Sequence, residues 1–313
     1  MYNPTIGILT VPVSKTFKNN EINSYLPNSY VKWIEMSGAR VVPILFSWDN
    51  NKIQDTLNQV NGVVFPGGSV DRVKNKDFMK YIASFKLIFN YAKAQKHFPL
   101  WATCLGFEFL CLMLLDSPSM IHDTYVNDHH IQMVKARHQS LQLKILDNKE
   151  FLTKFNSSNI ITKNDLDFLK NKKSIYMNHG LGFKLRENSN LIIDWLLNDI
   201  DVLSTNFDKN NEEYISTIKY KNYPFYGVQW HPEKTIFEWL DEKIIHTKPA
   251  IMLSKKMSEI FVNECSKNKN RLINEHLLIY YYNLYSRIDV LDIIDPKHNT
   301  KKNKSLFEQS YYF

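Results

Sequence analysis

The chain has 313 residues, enough for two domains or one large α/β domain with a buried core. Hydrophobic residues make up 44% and charged residues 23%, proportions that exclude a disordered chain, and three cysteines are too few for a disulfide framework but leave room for one reactive thiol. The net charge of +7, from 39 basic and 32 acidic residues, is not gathered into one long block, so it reads as solvated surface with some steering of an anionic substrate and not as a nucleic-acid site.

In chain order, Thr5 to Thr10 reads as a buried strand and Tyr30 to Met36 as a helix stopped by Gly38. Arg40 to Leu45 is the next strand, residues 52–59 a short helix, and Gly62 to Phe65 a third strand ending in Pro66-Gly67-Gly68. Residues 76–96 read as a long helix, Leu100 to Thr103 as a fourth strand, and a new helix starts at Leu105. This alternation implies an α/β fold: a central, mostly parallel sheet flanked by helices. The segment 120–200 is less regular. Tyr214 to Ile218 and Phe225 to Trp230, separated by Asn222-Tyr223-Pro224, predict an antiparallel pair added to the sheet, and residues 249–267 a helix packed back on it. The most apolar run, Phe107 to Leu115, contains Glu108 and is too short to span a membrane. The opening Met1-Tyr2-Asn3-Pro4 has no signal-peptide pattern, so the expectation is an intracellular protein or one whose leader has been removed.

Ligands of such sheets sit beyond the carboxyl ends of the strands. Two of those ends carry Gly67-Gly68 and Cys104. Thr103-Cys104-Leu105-Gly106 passes from strand to helix, a sharp turn that exposes a nucleophile above the sheet, and the helix N-terminus is expected to lower the cysteine pKa. Cys111 and Cys265 are read as structural thiols. The backbone N–H groups of Leu105 and Gly68 are candidate donors to an oxyanion. Trp230-His231-Pro232-Glu233 follows another strand; His231 is the candidate base, and Glu233 can orient its imidazole. Gly-Gly, the cysteine turn and His-Pro-Glu, in that order on three strand ends, form a far stronger signal together than any does alone.

These residues resemble the γ-glutamyl hydrolase family, within the class I glutamine amidotransferase-like superfamily and its flavodoxin-like sandwich. The resemblance rests on Phe65 to Asp71, Thr103 to Glu108 and Tyr226 to Lys234, supported by Ser29 to Lys32, Gly38 to Pro43 and Phe261 to Glu264. It runs through about residues 5–268, dividing the chain into a hydrolase domain, residues 1–268, and a C-terminal tail, residues 269–313. It implies hydrolysis of γ-glutamyl bonds in folylpoly-γ-glutamates and antifolate polyglutamates through a thioester. Cys104 would be the nucleophile and His231 the base, with Glu233 nearby. It further implies His179 as a second functional histidine, Glu108 as a residue facing the cleft that recognises a substrate amino group, and Gly67, Ser69 and Tyr25 at the substrate. Two departures stand out. Ala102 occupies a position where the family usually has Gly, and the segment 120–150 matches poorly.

No metal or cofactor is expected, since no Cys/His ligand spacing and no Walker-type loop occurs. The expected partner is a small-molecule substrate, folylpolyglutamate, with no nucleic acid and no membrane span; a homodimer is one expected assembly. Family resemblance implies a lysosomal or vacuolar, or an extracellular, location. Two other readings stay open: a glutaminase or amidotransferase subunit serving a synthase, and a non-catalytic binder of folate polyglutamates.

Overall fold

The computed structural model describes residues 3–13, 22–71, 75–114, 118–126, 131–155, 159–185, 197–286 and 307–313. The apolar runs of the first half become β1 (Thr5–Leu9), β4 (Arg40–Ile44), β5 (Val63–Phe65) and β6 (Leu100–Thr103), joined later by β12 (Phe225–Val228). These five pair in parallel in the order β4-β1-β5-β6-β12. Strands covered on both faces lose the alternation of polar and apolar residues, which is why β1, β5 and β12 are buried along their whole length. β11 (Glu213–Tyr220), β10 (Ile200–Phe207) and β8 (Lys144–Ile145) extend the sheet antiparallel to eight strands. The β11–β12 pair is the antiparallel addition expected from sequence.

Successive strand residues feed opposite faces. Val64 and Trp101 pack on one side, where the Trp101 ring lies 5.2 Å from Trp33. Phe65 and Ala102 pack on the other, where Phe65 stacks 3.6 Å from Phe85. The covering helices include α1 (Asn28–Glu35), α2 (Asn50–Leu57), α3 (Lys76–Ala94), α4 (Leu105–Leu112) and α5 (Pro118–Val126), with Lys163–Asn171 and Lys248–Cys265 farther on. Asp49 and Asn75 set the starts of α2 and α3 by accepting hydrogen bonds from the Lys52 and Phe78 N–H groups. Gly38 ends the turn after α1 at φ 89°, donating its N–H to Glu35 O. Among the described residues, no helix is long and apolar enough to cross a membrane.

Two smaller sheets were not foreseen. β7 (Gln132–Leu141) and β9 (Ile175–Gly182) pair antiparallel, with Ala136 opposite His179. The partners are far apart in sequence, so no local turn signal announces them. The second sheet has the order β13-β14-β3-β2, built from β2 (Val11–Pro12), β3 (Ser24–Pro27), β13 (Leu284–Ser286) and β14 (Gln309–Tyr312). β14 sets Tyr312 opposite Tyr25, and Gln309 Oε1 accepts from Lys32 Nζ at 2.7 Å and Asn28 Nδ2 at 3.0 Å. The end of the chain is thereby stitched to α1 and β3. Of the tail expected at 269–313, residues 287–306 lie outside the described residues.

Candidate active site

Cys104 follows β6 directly and is the N-cap of α4, at φ 51° and ψ −107°. An L-residue avoids that region, so the turn is strained and must be held by its surroundings. Two backbone hydrogen bonds of 2.9 Å do so: Cys104 N–H to Val228 O on β12, and Glu108 N–H to Cys104 O. Gly106 completes the turn. A Cβ there would lie 2.2 Å from the carbonyl oxygen of Phe65, so only glycine lets α4 start this close to β5.

The other strand ends bring the remaining groups to the thiol. Gly67 follows β5, and a Cβ there would lie 2.8 Å from His231 Cε1 and 3.2 Å from Cys104 Cβ. The imidazole and the Cys104 Cβ thus flank the bare face of Gly67, and the thiol donates to Asn178 O at 3.9 Å. His231 lies beyond β12; its backbone N–H donates to Tyr176 O at 3.0 Å, and its Nδ1 donates to Glu233 Oε1 at 2.7 Å. This fixes the tautomer and leaves Nε2 to exchange a proton. The N–H groups on either side of Gly68 are occupied, Gly67 N–H by Tyr30 OH at 2.7 Å and Ser69 N–H by Tyr25 OH at 3.0 Å. The Gly68 N–H has no acceptor among the described residues. The Leu105 N–H points to the thiol itself. Both oxyanion donors expected from sequence therefore border the nucleophile.

A cleft of about 420 Å³ opens above these groups. It is lined by Tyr25, Ser69, Glu108 and His179, which brings all the expected substrate residues to one cavity. Glu108 is buried, accepting from Gln229 Nε2 at 3.2 Å and Tyr125 OH at 3.3 Å. His179 is also buried, with Nδ1 donating to Leu181 O at 2.6 Å and, among the described residues, no partner for Nε2. Burial is the main force on the His179 pKa, helped by His231 and Arg137 against the Leu181 hydrogen bond, and it falls to about 3. The ring is neutral at any working pH, so Nε2 is a permanent acceptor. Among the described residues, no group of three His, Cys, Asp or Glu side chains could hold a metal ion.

One expectation is corrected. The Cys104 thiol is not made acidic by its helix terminus. Burial pushes its pKa well above the ordinary value, and the charges of Glu108 and Glu233 add to this; the Leu105 N–H and Lys234 act the other way without offsetting it. Burial also lowers the His231 pKa, against the pull of Glu233. Burial thus favours the uncharged form of both groups.

The cleft also contains residues that sequence reasoning did not assign: Tyr30, Arg137, His138, Lys234 and Phe307. Tyr30 lay within a quoted helical run, where spacing explains it as core. Arg137 and His138 lie on β7, in the poorly matching segment. Phe307 comes from the far end of the chain, 5.9 Å from the Tyr25 ring. The run Phe307-Glu308-Gln309 resembles the tails of some longer family members, but nothing in it places the ring at the cleft.

A family model described as Peptidase C26 matches residues 4–233. The chain belongs to the peptidase C26 family. γ-Glutamyl hydrolase B of Dictyostelium discoideum is 32% identical over 96% of this chain and 85% of its own length. Human γ-glutamyl hydrolase is 33% identical, over 89% and 84% respectively, and γ-glutamyl hydrolase 1 of Arabidopsis thaliana 30%, over 90% and 78%. Among solved structures, a glutamine amidotransferase from Thermotoga maritima aligns with 85% of this chain and 99% of its own, at 12% identity and a TM-score of 0.47. As a C26 peptidase with these relatives, the chain is a cysteine-type hydrolase of γ-glutamyl bonds.

Proposed function

We propose that this C26 peptidase cleaves folylpoly-γ-glutamates through a thioester on Cys104. The observation that carries the reading is the Glu233–His231 hydrogen bond beside the strained Cys104 turn, which orients the imidazole next to the cysteine. His231 Nε2 takes the thiol proton as sulfur attacks the γ-carbonyl carbon. The Leu105 and Gly68 N–H groups receive the oxyanion. The carbonyl re-forms, the C–N bond breaks, and His231 returns the proton to the departing glutamate nitrogen. Water then adds to the thioester, giving one proton to His231; that proton returns to sulfur as the C–S bond breaks, and the γ-carboxylic acid released loses its remaining proton to solvent. His179 Nε2 and the Glu108 carboxylate are acceptors for substrate N–H groups, and Tyr25, Gly67 and Ser69 form the wall opposite.

The test is incubation of the purified protein and of Cys104→Ala with a pteroyl-polyglutamate of defined length, with products read by mass. Release of glutamate or short glutamyl peptides by the wild type alone is expected. Cleavage of free glutamine instead would favour an amidotransferase subunit, and tight binding without turnover a non-catalytic carrier. A homodimer, and a lysosomal, vacuolar or extracellular location, belong to the same proposal. Sedimentation of the purified chain and imaging of a tagged full-length chain test them.

A further inference from the structure

The family motif ends on Lys234, to which the catalytic cycle assigns no task. Its side chain is 7% exposed and lines the cleft. A buried ammonium ordinarily has a carboxylate to pair with. Among the described residues no carboxylate makes a direct ion pair with Lys234, although its charge reaches the buried Glu238 and opposes the rise that burial imposes on that carboxyl; the rings of Phe307, 4.9 Å from Nζ, and Tyr176, 5.9 Å from Nζ, flank it. The cleft meanwhile holds two carboxylates, Glu108 and Glu233, which repel an anionic substrate. Arg137 is the other cation lining it, but Arg137 is exposed and lies against Gly180, on the His179 side.

The side on which Lys234 sits is informative. The Tyr176 ring that neighbours its ammonium is also 6.1 Å from the His231 ring. His231 gives a proton to the departing nitrogen, so the leaving residue lies on this side. In every γ-glutamyl-glutamate bond that nitrogen is attached to a carbon bearing a free α-carboxylate. We infer that Lys234 is a specificity-determining residue that binds the α-carboxylate of the leaving glutamate. Phe307 and Tyr176 shield this contact from water, which strengthens it and leaves Lys234 incompletely solvated until substrate arrives. The carboxylate is present in ground state and transition state alike, so the effect belongs in KM more than in kcat.

The inference rests on the γ-glutamyl hydrolase reading, and the experiment separates the two. Wild type, Lys234→Met and Lys234→Arg are assayed with pteroyl-γ-diglutamate, which has a single γ bond, and with the analogue whose terminal α-carboxylate is a carboxamide. Wild type is expected to prefer the free acid by roughly 10- to 100-fold in kcat/KM, mainly through KM. Lys234→Met is expected to cleave both alike and Lys234→Arg to keep the preference. Should Lys234→Met melt before assay temperature, Lys234→Gln is expected to show the same loss. A wild type indifferent to the carboxamide overturns the assignment while leaving the hydrolase reading intact. So does a neutral variant that keeps the preference, or one that loses the same factor on both substrates and thus acts through the thiol. A wild type that cleaves neither compound overturns the hydrolase reading and this inference with it.

Discussion

His179 allows a prediction whose sign and size both follow from the structure. Its folded pKa of about 3 lies below the ordinary 6.5, so the native state refuses a proton that the unfolded chain accepts. The contribution is fully present above about pH 6.5 and is lost as pH falls toward 3, at up to about 1.4 kcal/mol per pH unit. Between pH 7.5 and pH 5 this single residue therefore removes about 2 kcal/mol of stability, and about 5 kcal/mol at the low-pH limit. The perturbation is His179→Gln, which keeps a polar side chain and has nothing to titrate. Urea unfolding of both proteins at half-unit pH intervals gives the comparison. The variant starts lower at pH 7.5, since it loses the hydrogen bond to Leu181 O. Its stability should then fall less steeply on acidification, closing about 2 kcal/mol of the gap by pH 5. Parallel curves would refute the reasoning, because they would mean that His179 takes up its proton in the folded state.

Three further outcomes are expected. Gly106→Ala should cost about 3 kcal/mol or prevent folding, since the new Cβ meets the Phe65 backbone and not a movable side chain; chemical denaturation measures it. Cys104→Gly should be more stable than Cys104→Ala by about 1 kcal/mol, as glycine relieves the φ 51° strain; both should be inactive, and equal melting temperatures would show an unstrained turn. Glu233→Gln should lower kcat on the order of 10²-fold or more by releasing the imidazole tautomer. It should also move the acid limb of kcat/KM to lower pH. Glu233 raises the His231 pKa against burial, so an acid limb shifted upward in the variant would contradict that assignment.

The α/β alternation was legible because buried parallel strands are continuous apolar runs, and because Gly38 stops the first helix between them. The proximity of the candidate reactive residues was legible for a related reason. Each sits at the end of such a strand, so Gly67-Gly68, Cys104 and His231 had to share one sheet edge once the strands were placed.

Whatever depends on distant pairing was not legible. β7 finds β9 across β8 and the helical segments that follow it, bringing Arg137 and His138 beside His179. β14 finds β3 from the opposite end of the chain, carrying Phe307 to Tyr25 and Lys234. The protonation of the site followed the same division. A helix terminus next to a cysteine is visible in sequence and argues for thiolate. The burial of that thiol among Glu108, Glu233 and the cleft walls is a property of the folded whole, and it decides the opposite. Residue order alone determined which groups could react. Tertiary packing set the direction in which their pKa values move, because desolvation depends on everything that surrounds a group and not on its neighbours in the chain.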